Sequence, residues 1–153
     1  MIPVQRINHA VLYVRDAARS AAFYQEAFGF EVVIQTSGAV FLKAAGTDNH
    51  HDLGLFSVGA NATGPTRGGV GLYHLAWEVP TVQDLASAHA TLARLGALSG
   101  ASDHGASKSL YGHDPDGIEF EIMWRVPRED WGDAQRSAAI GPLDLDAELA
   151  RYG

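Results

Sequence analysis

The 153-residue chain carries seven histidines, eighteen Asp and Glu residues and no cysteine. The absence of cysteine removes disulfides, thiolate metal sites and a Cys nucleophile. Imidazole together with carboxylate suits a hard or borderline metal ion. This chemistry is densest over residues 109–124, which read as a β-hairpin around the turn Asp114-Pro115-Asp116-Gly117. Pro115 presets φ at the second turn position, and Gly117 takes the place that favours positive φ. Beyond the turn, Ile118, Phe120, Ile122 and Trp124 share one face, while Glu119, Glu121 and Met123 share the other. Two carboxylates on a core strand need a reason, because buried charge is costly unless it is paired or bound to metal. A metal ion is one such reason. For Glu119 the plainer reading is a solvated or ion-paired side chain.

The elements that must position these groups form a repeat. Residues 6–14 alternate as a strand, with Ile7, His9, Val11 and Tyr13 on one face. Asp16 then caps a helix that runs to about Phe28 and is closed by Gly29, with Ala22, Phe23 and Ala27 as its apolar side. Strands are predicted over 30–36, 39–44 and 52–58, and a Gly-, Asn-, Thr- and Pro-rich linker covers 59–69. The order then recurs. Residues 71–79 alternate, with Leu72, His74, Ala76 and Glu78 on one face. Thr81-Val82-Gln83-Asp84 has the capping-box pattern, Leu85, Ala88, Leu92 and Leu95 form a helical stripe, and Gly96 ends it. Strands are predicted over 98–102, 108–113 and 118–124. Residues 8–14 lie over residues 73–79, each copy with a His in second place and a closing Val, 65 positions apart. Internal repeats carry strong architectural information. The predicted fold class is α+β: two tandem βαβββ modules, about 5–60 and 70–125, each too small to bury its own sheet face. They would join within one domain, 1–126, as a cupped mixed β-sheet around a metal site with the helices outside. Residues 127–153 form a C-terminal arm, irregular at 127–131 and helical for about two turns near 143–151.

The repeat makes His9 and His74 equivalent, each on the first strand of its module. Glu121 lies on the last strand of the second module, which pairs near that module's first strand. Two imidazoles and one carboxylate are the facial triad that leaves open positions on Fe(II) or a similar ion. Either His alone would be read as a hydrogen-bonded core residue; the equivalent pair with a matching carboxylate turns the reading to metal.

The chain resembles the vicinal oxygen chelate superfamily of glyoxalases, bleomycin- and fosfomycin-resistance proteins and type I extradiol dioxygenases. The residues that carry the resemblance are Asn8-His9-Ala10, Phe23-Tyr24-Gln25-Glu26-Ala27-Phe28-Gly29-Phe30, Tyr73-His74-Leu75-Ala76 and the segment from Leu110 to Gly117 with Glu121. The last is similar to the ring-cleaving dioxygenase signature, in which a Tyr precedes Asp-Pro-x-Gly and the metal-binding Glu falls four residues after the Gly. Glu121 meets that spacing and Glu119 does not. Ile118 stands where the family commonly has Asn. His51-Asp52-Leu53-Gly54-Leu55 resembles a segment whose His acts as an acid/base beside the dioxygen site. The resemblance thus implies His9, His74 and Glu121 as metal ligands, His51 as proton shuttle, and Tyr111 as a hydrogen-bond partner of the substrate oxygen. His51 read on its own is a loop histidine beside His50, and Tyr111 a barrel-lining aromatic. His113, which shares the parity of Tyr111, and His104, in the loop before it, are candidate substrate-binding residues; His104 also reads as a solvated loop residue. His89 is expected at a helix surface. The implied activity is ring cleavage of a catechol-like vicinal diol by dioxygen, with Fe(II) or Mn(II). The alternatives are a binding protein that sequesters a drug or other small molecule, and a glyoxalase-type metal lyase or isomerase. The glyoxalase site wants a fourth ligand where residues 52–58 carry no carboxylate after Asp52.

Composition bounds the partners. The net charge of −7 argues against a nucleic-acid backbone. Mean hydropathy near zero (−0.06) and the lack of a long apolar run predict no membrane association, and the first residues lack the layout of a signal peptide. The expected setting is the cytoplasm, and the open edges of a two-module sheet favour a homodimer.

Overall fold

The computed structural model describes residues 1–136 and 140–153. The chain divides into two compact units, Met1–Pro65 and Thr66–Gly153, and the division falls in the Gly-rich linker. The first unit contains β1 (Ala10–Val14), α1 (Ala17–Phe28), β2 (Glu31–Gln35), β3 (Ala39–Lys43) and β4 (Leu53–Ser57). Its strands hydrogen bond in the order β1-β4-β3-β2, with β1 and β4 parallel and the other pairs antiparallel. The second unit repeats this with β5 (Leu75–Val79), α2 (Val82–Arg94), β6 (Leu98–Asp103), β7 (Ser107–His113) and β8 (Glu119–Arg125), in the order β5-β8-β7-β6. The α+β fold of two βαβββ modules is therefore present, each module forming its own four-stranded mixed sheet.

Local chemistry explains the helix boundaries. The Asp16 carboxylate accepts from the amides of Ala18 and Arg19 at 2.9 and 3.0 Å, and Gly29 closes α1 at φ 67°. Such a left-handed residue lets the final amides return to carbonyls of the last turn, here those of Tyr24 and Gln25. The Thr81–Asp84 box is reciprocal, each residue's side chain accepting from the other's amide. Of the predicted α2 stripe, Leu85 and Leu92 are almost inaccessible and Ala88 and Leu95 are half-buried, while Val82 is buried as well. On α1 the predicted side is displaced. Ala17, Ser20, Ala21 and Tyr24 are buried, while Ala22 is exposed. The cause is Tyr24, whose ring lies 5.2 Å from Phe28 and 6.2 Å from Phe30 and turns the helix onto that face.

One face of each sheet meets its helix. In β8, Phe120, Ile122 and Trp124 are buried toward α2, and Glu119, Glu121 and Met123 take the opposite face in partial exposure, as the alternation predicts. The C-terminal segment belongs to the second unit. Two 3₁₀ turns, Arg128–Asp130 and Gly132–Arg136, lead toward α3 (Leu145–Tyr152), which packs on α2. Tyr152 lies 5.1 Å from Trp124. Gly141 exchanges two backbone hydrogen bonds with Asp103 (2.9 and 2.8 Å). The ammonium of Lys108, a side chain only 7% exposed, sits 2.7 Å from Asp103 and 3.0 Å from Glu148. Among the described residues no helix is long and apolar enough to cross a membrane.

Candidate metal centre

The hairpin before β8 sets the positions of its carboxylates. Asp114 Oδ1 accepts from the amides of Asp116 and Ile118, both at 2.9 Å, and Gly117 takes φ 85°. The turn is held by a carboxylate and by backbone groups. Ile118 contributes its amide, so an apolar side chain there does not disturb it. A Cβ on Gly112 would lie 2.7 Å from the carbonyl of Ala97 and 2.5 Å from the Phe120 ring, so only glycine allows this approach.

The register then aligns three strands. Ala76, Glu121 and Tyr111 are cross-strand neighbours, and Glu119 pairs with His113. His74 precedes β5 at the level of Glu119. Its Nε2 lies 3.1 Å from Glu121 Oε2, and its Nδ1 lies 3.6 Å from Glu119 Oε1. Two donors each about 2.1 Å from one ion, at a right angle, are about 3.0 Å apart. The His74–Glu121 pair thus has the spacing of two neighbouring ligands, and its N and O donors fit a borderline or hard divalent ion. His113, with 45% of its side chain exposed, faces Glu119 at 3.7 Å.

The Tyr111 ring lies 5.9 Å from that of His74, and its hydroxyl shares a 2.8 Å hydrogen bond with His104 Nε2. Burial, with the Glu121 carboxylate next, holds the Tyr111 phenol above its ordinary value, so it stays protonated and able to donate. His104 is therefore not a free loop residue. Its link to Tyr111 crosses seven positions and a strand turn, and no local pattern signals it.

In the first unit His9 and His51 have ring centroids 4.7 Å apart. His9 is exposed, and its Nδ1 lies 2.9 Å from Asn8 Oδ1. With Nδ1 donating there, Nε2 keeps its lone pair for a cation. His51 is half-buried between His9 and Phe41, 5.1 Å from the latter, with its Nδ1 3.0 Å from that of His50. Burial first, then the neighbouring His9 and His50, lower its pKa, only partly opposed by Asp52. A neutral imidazole at neutral pH can accept a proton. His89 lies on α2, partly buried.

Register also shows how the repeats differ. The first strands align Ala10 with Leu75, and their partners are Leu53 and Phe120. One step on, Val11 pairs with Gly54 and Ala76 with Glu121. Gly54 is thus the counterpart of Glu121, and its cross-strand neighbour Phe41 the counterpart of Tyr111. The Phe41 ring passes 3.4 Å from where a Gly54 Cβ would stand. The first unit offers imidazoles but no carboxylate at the position of Glu121. Among the described residues, no three His, Asp or Glu side chains are gathered closely enough to hold a metal ion.

Residues 6–122 match the family model described as the Glyoxalase/Bleomycin resistance protein/Dioxygenase superfamily. The chain belongs to this superfamily. It is 35% identical over 126 residues to a catechol-2,3-dioxygenase of Bacillus subtilis (strain 168), covering 82% of this chain and 43% of that protein. It thus spans less than half of that relative's length. It is 29% identical over 151 residues to biphenyl-2,3-diol 1,2-dioxygenase 3 of Rhodococcus globerulus, covering 93% of this chain and 78% of that one. The fold is also similar to that of a fosfomycin resistance protein of Listeria monocytogenes complexed with Mn(II) and sulfate. There the TM-score is 0.64 and the identity 20%, covering 86% of this chain and 98% of that one.

Proposed function

We propose that this superfamily member is an extradiol-type dioxygenase that opens the ring of a catechol-like vicinal diol. The observation that carries the reading is the His74 Nε2–Glu121 Oε2 pair at 3.1 Å, beside Tyr111 on the neighbouring strand. In this reading His74 and Glu121 are two metal ligands, and the repeat-equivalent His9, of this chain or of a second copy, is the third. Fe(II) or Mn(II) held by these residues would supply the redox chemistry that ring opening by dioxygen needs. Tyr111, kept protonated, donates a hydrogen bond to a substrate oxygen, and His104 fixes the direction of its hydroxyl. His51, neutral at neutral pH, takes the proton that the diol releases and returns it later. His113, on the face of Tyr111, borders the substrate. The two relatives named as dioxygenases of a catechol and of a biphenyl-2,3-diol support the reaction class.

The test is metal content first, then turnover. Protein purified without chelator should hold close to one iron or manganese, and the His74→Ala variant should hold none. Anaerobic loading with Fe(II), then air and a panel of catechols, should give a yellow ring-opened product. Iron-loaded protein that leaves the panel unchanged would refute the dioxygenase reading. Binding of small molecules that survives loss of His74 would replace it with a sequestering protein, and loaded protein active only as a lyase or isomerase would replace it with glyoxalase-type chemistry. A monomer in solution would remove the proposed homodimer.

A further inference from the structure

The sequence leaves Glu119 without a task, and the structure places it behind His74. We infer that Glu119 is a positioning residue: the carboxylate that holds the Nδ1 side of His74 so that Nε2 is presented to the metal ion. This rests on the proposed ligand role of His74.

Three observations converge. The first is an orphaned atom. His74 Nδ1 is buried and has no hydrogen-bond partner, while Glu119 Oε1 lies 3.6 Å from it in a side chain 17% exposed. A buried N–H without an acceptor is costly, and a small rotation of a Glu side chain closes a gap of this size. The second is tautomer logic. An imidazole whose Nε2 binds a cation carries its proton on Nδ1, and ligand histidines characteristically donate that proton to a carboxylate or carbonyl.

The third observation is the other repeat. His9 and Asp52 immediately precede the paired residues Ala10 and Leu53; His74 and Glu119 immediately precede Leu75 and Phe120. Asp52 is therefore the counterpart of Glu119. It reaches His9 through a relay. Asn49 Nδ2 donates to Asp52 Oδ1 at 2.7 Å, Asn8 Nδ2 donates to Asn49 Oδ1 at 3.1 Å, and Asn8 Oδ1 stands 2.9 Å from His9 Nδ1. In the second unit the counterpart of Asn8 is Tyr73, whose ring lies 4.9 Å from that of His74. With the amide replaced by an aromatic ring, the carboxylate acts directly. Each repeat thus backs its histidine with a carboxylate at the same register position, through two amides in one unit and face to face in the other.

The test is Mn(II) affinity of the full chain, measured by the loss of the free-ion EPR signal at fixed pH, with a thermal melt of each variant. Outer partners of this kind are worth about 10–100-fold in metal affinity. Glu119→Leu, which keeps the bulk and loses the acceptor, should weaken Mn(II) by that factor. Glu119→Gln, which keeps an acceptor oxygen, should recover most of it. Asn8→Ala, which removes the equivalent support of His9, should weaken Mn(II) to a similar degree. Should Glu119→Leu not fold, Glu119→Gln and Asn8→Ala carry the test: near-wild-type binding in the first and a clear loss in the second support the proposal. Equal affinity in wild type and Glu119→Leu overturns it and leaves the ligand set standing. Equal losses in Glu119→Leu and Glu119→Gln also overturn it, because charge alone would then suffice. Wild-type protein that takes up no Mn(II) overturns the metal reading, and this inference with it.

Discussion

Replacing Lys108 with Met removes an ammonium while keeping most of its apolar stem. The cost follows from what it leaves behind. In the folded chain the amine lies 2.7 Å from Asp103 and 3.0 Å from Glu148, side chains 31% and 15% exposed. A second oxygen of Glu148 is buried and already without a hydrogen-bond partner. Taking one member from a buried ion pair costs about 3–5 kcal/mol, because the remaining charge stays buried and uncompensated. Water can reach Asp103 and recovers part of this, so Lys108→Met should lose about 3 kcal/mol, the low end of the range. At about 2–4 °C per kcal/mol for a chain of this size, the melting point should fall by roughly 6–12 °C. Urea unfolding followed by tryptophan fluorescence reads the right unit, since Trp77, Trp124 and Trp131 all lie beyond residue 65. The midpoint should drop with the slope unchanged. Adding Glu148→Gln to Lys108→Met should restore about 1–2 kcal/mol by removing one stranded charge. A Lys108→Met variant within about 0.5 kcal/mol of wild type, the range of ordinary surface substitutions, would show that this buried cluster does not stabilise the C-terminal helix on its module.

The remaining predictions address acid, glycine and the phenol. Burial raises the Asp103 carboxyl, but the hydrogen bond from Lys108 and the amide of Gly105 outweigh it and leave the group below its ordinary 3.8. A depressed folded value stabilises above the unfolded pKa and is lost as pH falls through the folded one. Asp103→Asn should therefore be less stable than wild type at neutral pH, with the gap closing in acid titrations below about pH 4, near the unfolded carboxylate value. Gly112→Ala should cost at least about 1–3 kcal/mol by overpacking, since a backbone carbonyl cannot retreat. Gly54→Ala meets only the Phe41 ring at 3.4 Å and Val11 at 3.5 Å, and should stay within about 1 kcal/mol of wild type; circular dichroism in urea compares the two. Tyr111→Phe in loaded protein should keep its metal and lose about 10–100-fold in kcat/KM, the worth of one hydrogen bond to a charged oxygen. Unchanged turnover would remove Tyr111 from the substrate site.

Much of the fold was legible because it is written locally. The repeat of His-x-x-x-x-Val over 65 positions, the Asp16 cap with its Gly29 stop, the Thr81 box and the Asp114–Gly117 turn all act within a few residues. The alternation in β8 separates Glu119 and Glu121 from Phe120 and Ile122 by pleat geometry alone. Helix facing was not legible in the same way. Ala22, Phe23 and Ala27 have apolar character, but which side of α1 is buried depends on where Tyr24 finds Phe28 and Phe30.

The site divides along the same line. Sequence offered the candidate ligands His9, His74 and Glu121, because residue type, repeat position and motif spacing are properties of the chain. Register decided what each one meets. The 3.1 Å pairing of His74 with Glu121, the hold of His104 on Tyr111, Gly54 standing where Glu121 has its counterpart, and Glu119 facing His74 all arise between strands distant in sequence. Strand pairing is a long-range choice, and a slip of one residue would turn every one of these side chains to the other face.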